Sequence, residues 1–119
     1  FFLMGEVYED RKIGRTIGFP TANIAYPQEK FPLKKGVYET RVEVDGVVYK
    51  GITNFGARPT FGNGEVLTET HLLDFTGSLY GRLLRVEFIR YLRAVQRFDD
   101  VEQLKIQLEK DSRQVRDHD

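Results

Sequence analysis

The pair Asp45-Gly46 sits between two runs of alternating character, and no other feature of the chain limits its fold as sharply. From Gly36 to Val44, Tyr38, Thr40, Val42 and Val44 fall on one face, with Glu39, Arg41 and Glu43 on the other. Side chains of a strand point to opposite faces in turn, so this is the pattern of a half-buried strand. Val47 to Phe55 resumes it after the pair. A two-residue Asp-Gly link between such runs is the strongest short-range signal for a β-hairpin.

Further strands are expected at Phe2–Tyr8 and at Glu69–Phe75, where Glu69, His71, Leu73 and Phe75 share a face. Another is expected at Leu83–Leu92, with Leu84, Val86 and Phe88 inward. Ile17–Ile24 reads as extended, because the residue before a proline is pushed out of the helical region. Gly56–Thr68 holds Pro59, Gly56, Gly62 and Gly64 and reads as a long mobile loop. Only the tail has helical spacing: Val101, Leu104, Leu108 and Val115 fall on one face. Asp99 or Asp100 precedes them as an N-cap. Many short strands with frequent turns, then one amphipathic helix, indicate a mainly β barrel or sandwich with the helix on its outside or across one end.

The length of 119 residues suits one domain, and 40% hydrophobic content suits one core. The absence of cysteine excludes disulfides, thiolate metal sites and a cysteine nucleophile. With only His71 and His118, a zinc site is not expected. Eighteen basic and eighteen acidic residues balance, which argues against a dedicated nucleic-acid binder. No apolar run approaches the roughly 20 residues of a membrane span, so no membrane partner is expected and the chain reads as soluble and cytoplasmic. The apolar start at Phe1, Phe2 and Leu3 suggests a domain cut from a longer chain.

Four groups of residues carry possible chemistry. Thr21 and Asn23, in GFPTANI, are two apart in an extended segment and so share one face. A hydroxyl and an amide oxygen are hard ligands suited to magnesium, yet such pairs also satisfy backbone groups in bent strands. The segment GEVYEDRKIG, followed by Arg15, offers backbone amides and the charges of Arg11 and Lys12 to phosphates, or is a solvated turn. Glu69 could take a proton from a substrate hydroxyl at a barrel rim, or be a surface carboxylate. The loop NFGARPTF carries Phe55, Arg58 and Phe61, which would either hold a flat ligand or plug the barrel end.

Taken in order, GEVYEDRKIGRTIGFPTANI, GVY, NFGARPTF, ETHLLDF, LYG and YLRAVQRFDDVEQL cover nearly the whole chain. In this order they resemble riboflavin kinases, above all the C-terminal kinase module of bacterial bifunctional riboflavin kinase and FMN adenylyltransferase. The resemblance implies a six-stranded antiparallel Greek-key barrel with a C-terminal helix. It implies a single kinase domain spanning 1–119, with an N-terminal adenylyltransferase module in the full-length chain. It implies transfer of the γ-phosphate of ATP to the 5′-hydroxyl of riboflavin, giving FMN and ADP; a catalytically weak flavin-binding module is the alternative.

The same resemblance makes Glu69 the general base and places Mg²⁺ at Thr21 and Asn23. Gly5, Val7, Arg11, Lys12, Gly14, Arg15 and Pro20, with Thr21 and Asn23, would hold the nucleotide. Phe55, Arg58, Leu83, Arg93 and Phe98 would contact the flavin. The chain departs from the family's pattern at Asp10, where a glycine is common, and at Gln96, where an acidic residue is common.

Overall fold

The structure is a computed structural model. It describes residues 2–6, 9–10, 21–27, 33–60, 65–77, 79, 81–96 and 100–118; for 2–6, 9–10, 21–27, 56–60 and 65–67 it describes the backbone alone. The strands are β1 (Phe2–Glu6), β2 (Glu9–Asp10), β3 (Thr21–Pro27), β4 (Gly36–Val44), β5 (Val47–Thr60), β6 (Glu65–Leu72) and β7 (Leu83–Arg93). The helix α1 (Val101–Arg116) follows them. All seven strands join one antiparallel sheet in the order β1-β7-β4-β5-β6-β3-β2.

The β4–β5 hairpin turns as its sequence requires. Asp45 and Gly46 both have positive φ, 51° and 83°, the backbone that suits the twist of paired strands. Gly51, further along β5, permits a close approach. A Cβ there would lie 2.8 Å from the Thr40 hydroxyl and 3.0 Å from Val42 Cγ2. Without it, Thr40 can sit 3.0 Å from Thr53, whose hydroxyl in turn lies 2.9 Å from that of Thr70. This buried line of hydroxyls joins β4, β5 and β6 from within.

The sheet has two covered faces. One carries Tyr38, Val42, Val44, Phe55, Leu72, Leu84, Val86 and Phe88. Phe55 packs edge-on against Tyr38 and Phe88, with ring centroids 6.4 and 5.7 Å away. The opposite face carries Val37, Ile52 and Leu73, against which Leu108 and Val115 of α1 pack.

Gly56–Thr68, read from its glycines and proline as a loop, is strand at both ends: β5 continues to Thr60 and β6 begins at Glu65. An irregularity accommodates this composition. Between the pairs Asn54–Glu69 and Arg58–Leu67, β5 advances four positions while β6 advances two. The bulge absorbs the glycine-containing segment and pairing resumes beyond it. Glu9–Asp10, also read as loop, pairs with Asn23 and Ala22. Strand β6 starts earlier than Glu69 and ends at Leu72, just before Asp74 takes a φ of 62°.

Helix α1 begins where its cap predicts. The Asp100 carboxylate accepts from the Gln103 amide at 2.8 Å. Its far end is tied down by charge. Lys50 Nζ donates to the carbonyls of Val115, Arg116 and His118 at 3.2, 3.1 and 2.8 Å, groups a helix C-terminus leaves unpaired. Arg116 pairs with Asp74 at 2.6 Å. Beneath this end lies Glu39, fully buried. Its carboxylate meets Arg90 Nε at 2.6 Å, Arg41 Nη1 at 2.8 Å and His118 Nδ1 at 2.8 Å.

Two bulges in β7 make that arrangement possible. Pairing with β4 shifts between Val37 and Tyr38 and again between Glu39 and Thr40, so that Glu39 opposes Arg90 and Val37 opposes Arg93. In a regular strand, residues three apart face opposite ways; the bulge between them turns Arg90 and Arg93 to the same side, toward the helix.

Burial by itself would raise the Glu39 carboxyl, but the hydrogen bonds from Arg90, His118 and Arg41 and the Arg41 charge outweigh it and hold it below its ordinary value of 4.5. A carboxyl so depressed stabilises the fold in full above 4.5 and loses its contribution as pH falls through the lower folded value. Glu39→Gln should therefore lower stability at pH 7 by about 1–3 kcal/mol, less than for a fully desolvated pair because the arginines reach solvent. The gap between variant and parent, followed by thermal unfolding, should narrow as pH drops below 4.5; a gap that stays constant would show that Glu39 carries no ionic load.

Candidate functional site

A cleft of about 390 Å³ opens between the helix-bearing face of the sheet and the start of α1. Its floor is built from Val37, Ile52 and Asn54 with Glu69 and His71. Arg93, Gln96, Asp100, Val101, Leu104 and Leu108 form the wall. The volume lies in the range that takes a small organic molecule, and apolar walls with a few polar groups are the usual make-up of such sites.

Alternation places the polar groups. Asn54 of β5 pairs directly with Glu69 of β6, and Glu69 pairs with position 23 of β3. The row one step inward is Thr53, Thr70 and position 22, and its hydroxyls point away from the cleft into the hydroxyl line. The next row is Ile52, His71 and position 21. Asn23 and Thr21 are thus register neighbours of Glu69 and His71. Glu69 Oε1 lies 3.9 Å from His71 Nε2, and the Glu69 side chain keeps 17% of its surface exposed. It is sheltered, not sealed, as an exchanging acid or base must be. The Asn54 Oδ1 atom is buried and has no hydrogen-bond partner among the described residues.

Arg93 lines the cleft, and each of its three nitrogens already donates a hydrogen bond within the protein. Nε and Nη2 form a two-pronged contact with Asp111 at 3.2 and 2.9 Å, and Nη1 donates to the Ala94 carbonyl at 3.2 Å. Asp111 is 2% exposed and also accepts from Gln107 Nε2 at 3.0 Å. Arg93 therefore braces α1 against the sheet and shapes the wall.

The residues singled out in the sequence come together only in part. Glu69 and Arg93 line one cleft, and Thr21 and Asn23 lie on the neighbouring strand in register with it. Phe55 does not line it; the ring is 3% exposed among Tyr38 and Phe88 on the other face, so the core-plug reading of its loop describes this residue. Leu83 does not line it either, standing 61% exposed at the start of β7. Gly5 lies on β1 and Arg58 on β5, known by backbone. Val7, Arg11, Lys12, Gly14, Arg15, Pro20 and Phe98 lie outside the described residues. Asn54, Gln96 and Asp100 line the cleft without having been assigned to it. For Asn54 the signal was available: it stands four residues before Arg58, in the same quoted motif, at the end of a strand-like run.

A carboxylate and a carboxamide side by side on one sheet face, roofed by a braced helix, define a β-domain with a small-molecule cleft. Comparison places it further. The flavokinase family, described as riboflavin kinase, matches residues 1–118, and the chain belongs to that family. It is 42% identical over 110 residues to the bifunctional riboflavin kinase/FMN adenylyltransferase of Haemophilus influenzae, covering 92% of this chain and 35% of that one. The chain spans about a third of the length of the bifunctional relatives it matches, and 17% of a trifunctional one. Among solved structures, one described as a macrolide-efflux protein from Streptococcus pneumoniae superposes with a TM-score of 0.83 and 32% identity, over 99% of this chain and 39% of that one. Riboflavin kinase from Trypanosoma brucei superposes with a TM-score of 0.65 at 23% identity, over 98% and 74% of the two chains, and shares the fold. Among the described residues, no helix is long and apolar enough to cross a membrane.

If the Arg93–Asp111 contact holds the wall in place, Asp111→Ala should destabilise the protein by about 2–4 kcal/mol, because it strands a guanidinium among buried groups. Urea unfolding measures this. A variant as stable as the parent would mean that the apolar contacts of Leu108 and Val115 suffice to seat the helix.

Proposed function

We propose that this chain transfers the γ-phosphate of ATP to the 5′-hydroxyl of riboflavin, giving FMN and ADP. The observation that carries this reading is the placement of Glu69 in the cleft, in register with Asn23 and one row from Thr21. Family membership supplies the substrates. Glu69 accepts the proton of the 5′-hydroxyl as that oxygen attacks the γ-phosphorus. The new oxygen–phosphorus bond forms as the bond to the β,γ-bridging oxygen breaks, and ADP leaves. In such a reaction positioning and charge neutralisation contribute more than covalent chemistry. The helix wall orients the flavin and keeps water from competing for the phosphoryl group.

A divalent cation fits the donor chemistry at β3. Thr21 and Asn23 offer hard neutral oxygens two positions apart on a strand, and their register neighbours include the Glu69 carboxylate. Mg²⁺ bound there with ATP would neutralise phosphate charge. The seven-stranded order is consistent with the six-stranded Greek-key barrel of this reading, the two-residue β2 being an addition at the edge. The natural protein is read as longer and cytoplasmic, with an adenylyltransferase module N-terminal to this domain, since the bifunctional relatives are about three times this length.

The direct experiment is to incubate the chain with riboflavin, ATP and Mg²⁺ and to follow FMN by chromatography. Glu69→Gln keeps the shape but cannot take the proton, and should lower the rate by a factor of about 10² to 10⁴ while riboflavin still quenches on binding. A Glu69→Gln variant that turns over like the parent removes the base assignment. A parent that binds flavin tightly but makes no FMN points to a binding module.

The metal assignment has its own test. Thr21→Ala and Asn23→Ala should each cost about 1–3 kcal/mol of transition-state stabilisation, since water replaces one ligand of several. The loss should deepen at low Mg²⁺; turnover equal to the parent's across a Mg²⁺ titration would sink it.

A further inference from the structure

We infer that Asn54 reads a hydroxyl of the substrate's ribityl chain, next to the hydroxyl that Glu69 activates. This rests on the riboflavin reading above and extends it to a residue that sets specificity.

The argument begins with an unmet hydrogen bond. Asn54 Oδ1 is buried without a partner among the described residues, and Asn54 lines the cleft. Leaving a polar atom desolvated and unpaired costs stability, so such an atom in a folded protein calls for an explanation, and in a cleft a ligand donor supplies one. A carboxamide oxygen accepts; it needs a donor. Of the two chemical parts of a flavin, the polyol chain supplies hydroxyl donors in series, whereas the ring edge is mostly acceptor.

Position narrows the choice. Asn54 and Glu69 are directly opposed across β5 and β6. Directly opposed residues stand roughly 4.5–5.5 Å apart at Cβ, close enough for the two side chains to converge on neighbouring hydroxyls of a polyol. If Glu69 receives the terminal hydroxyl, Asn54 receives one further in. The bond would fix the rotation of the chain and so the approach of the reacting oxygen. The floor beside the pair is Ile52 and Val37, with His71 one row away and 3.9 Å from Glu69. Arg93, the cation nearest in the cleft wall, is committed to Asp111 and Ala94.

The test compares two flavins, riboflavin and lumiflavin, the latter with a methyl group in place of the ribityl chain. Binding is read by fluorescence quenching on the parent, Asn54→Leu and Asn54→Asp, with thermal unfolding of each. The parent should prefer riboflavin. Asn54→Leu keeps the size and removes the acceptor, and should weaken riboflavin about tenfold while leaving lumiflavin within twofold of the parent. Asn54→Asp keeps an acceptor oxygen and should keep the preference. Equal loss for both flavins, no loss for riboflavin, or loss of the preference in Asn54→Asp would each overturn the assignment. If Asn54→Leu does not fold, Asn54→Ala removes the same acceptor, and the same comparison of riboflavin with lumiflavin decides. FMN formation by the parent separates the two levels: a parent that makes FMN while Asn54→Leu binds normally overturns only the Asn54 role, and a parent that neither binds riboflavin nor makes FMN overturns both.

Discussion

The register between β5 and β6 is the constraint on which the cleft depends. It is held from the core side by the hydroxyls of Thr40, Thr53 and Thr70, which meet where Gly51 leaves room. A slip of one residue would break both contacts and bury unpaired hydroxyls, a cost of order 1–3 kcal/mol for each. If β5 slipped, it would also turn Asn54 into the core, away from Glu69, and Phe55 into the cleft, because side chains alternate with a period of two. The polar line inside and the polar row outside are two consequences of one pairing.

The second constraint is ionic. Helix α1 has a thin apolar stripe, with Leu108 and Val115 fully buried, Leu104 partly so and Val101 exposed. Such a stripe gives adhesion but fixes position poorly. Position is supplied by directional contacts at both ends of the helix's seat: Arg93 on Asp111, and Arg90, Arg41 and His118 around Glu39, with Lys50 on the last carbonyls. Charged groups removed from water are expensive unless each is met by its opposite, so they tolerate little displacement. The cleft wall therefore inherits much of its geometry from groups outside the cleft, among them Glu39, Arg41, Arg90 and Lys50.

Much of this was legible in the sequence. Asp45-Gly46 announced its hairpin, Asp100 its cap, and Leu84, Val86 and Phe88 their inward face. Glu69 was visible as an oddity at the head of an apolar strand. What stayed hidden depends on irregular pairing. Alternation assigned Glu39 to an exposed face, and it is wholly buried, because a helix more than sixty residues later closes over it. Alternation also separates Arg90 from Arg93, which the bulge between them reunites. Glycines and a proline argued against strand at Gly56–Thr60, where the bulge absorbs their irregularity. Phe55 was drawn toward the ligand by its motif, and its neighbours Tyr38 and Phe88 claim it for the core.

The β5 bulge also bears on how this fold can change length. It carries two more residues on β5 than on β6, and backbone pairing resumes beyond it at Arg58 and Leu67. Insertions or deletions there can come in pairs without exchanging the two faces of the sheet. Single extra residues are taken up in the same way on β7, where each of two bulges adds one residue and pairing with β4 continues beyond it. The segment beside the cleft is thus a place where natural or engineered variants can change length, the extra residues being taken up in the bulge.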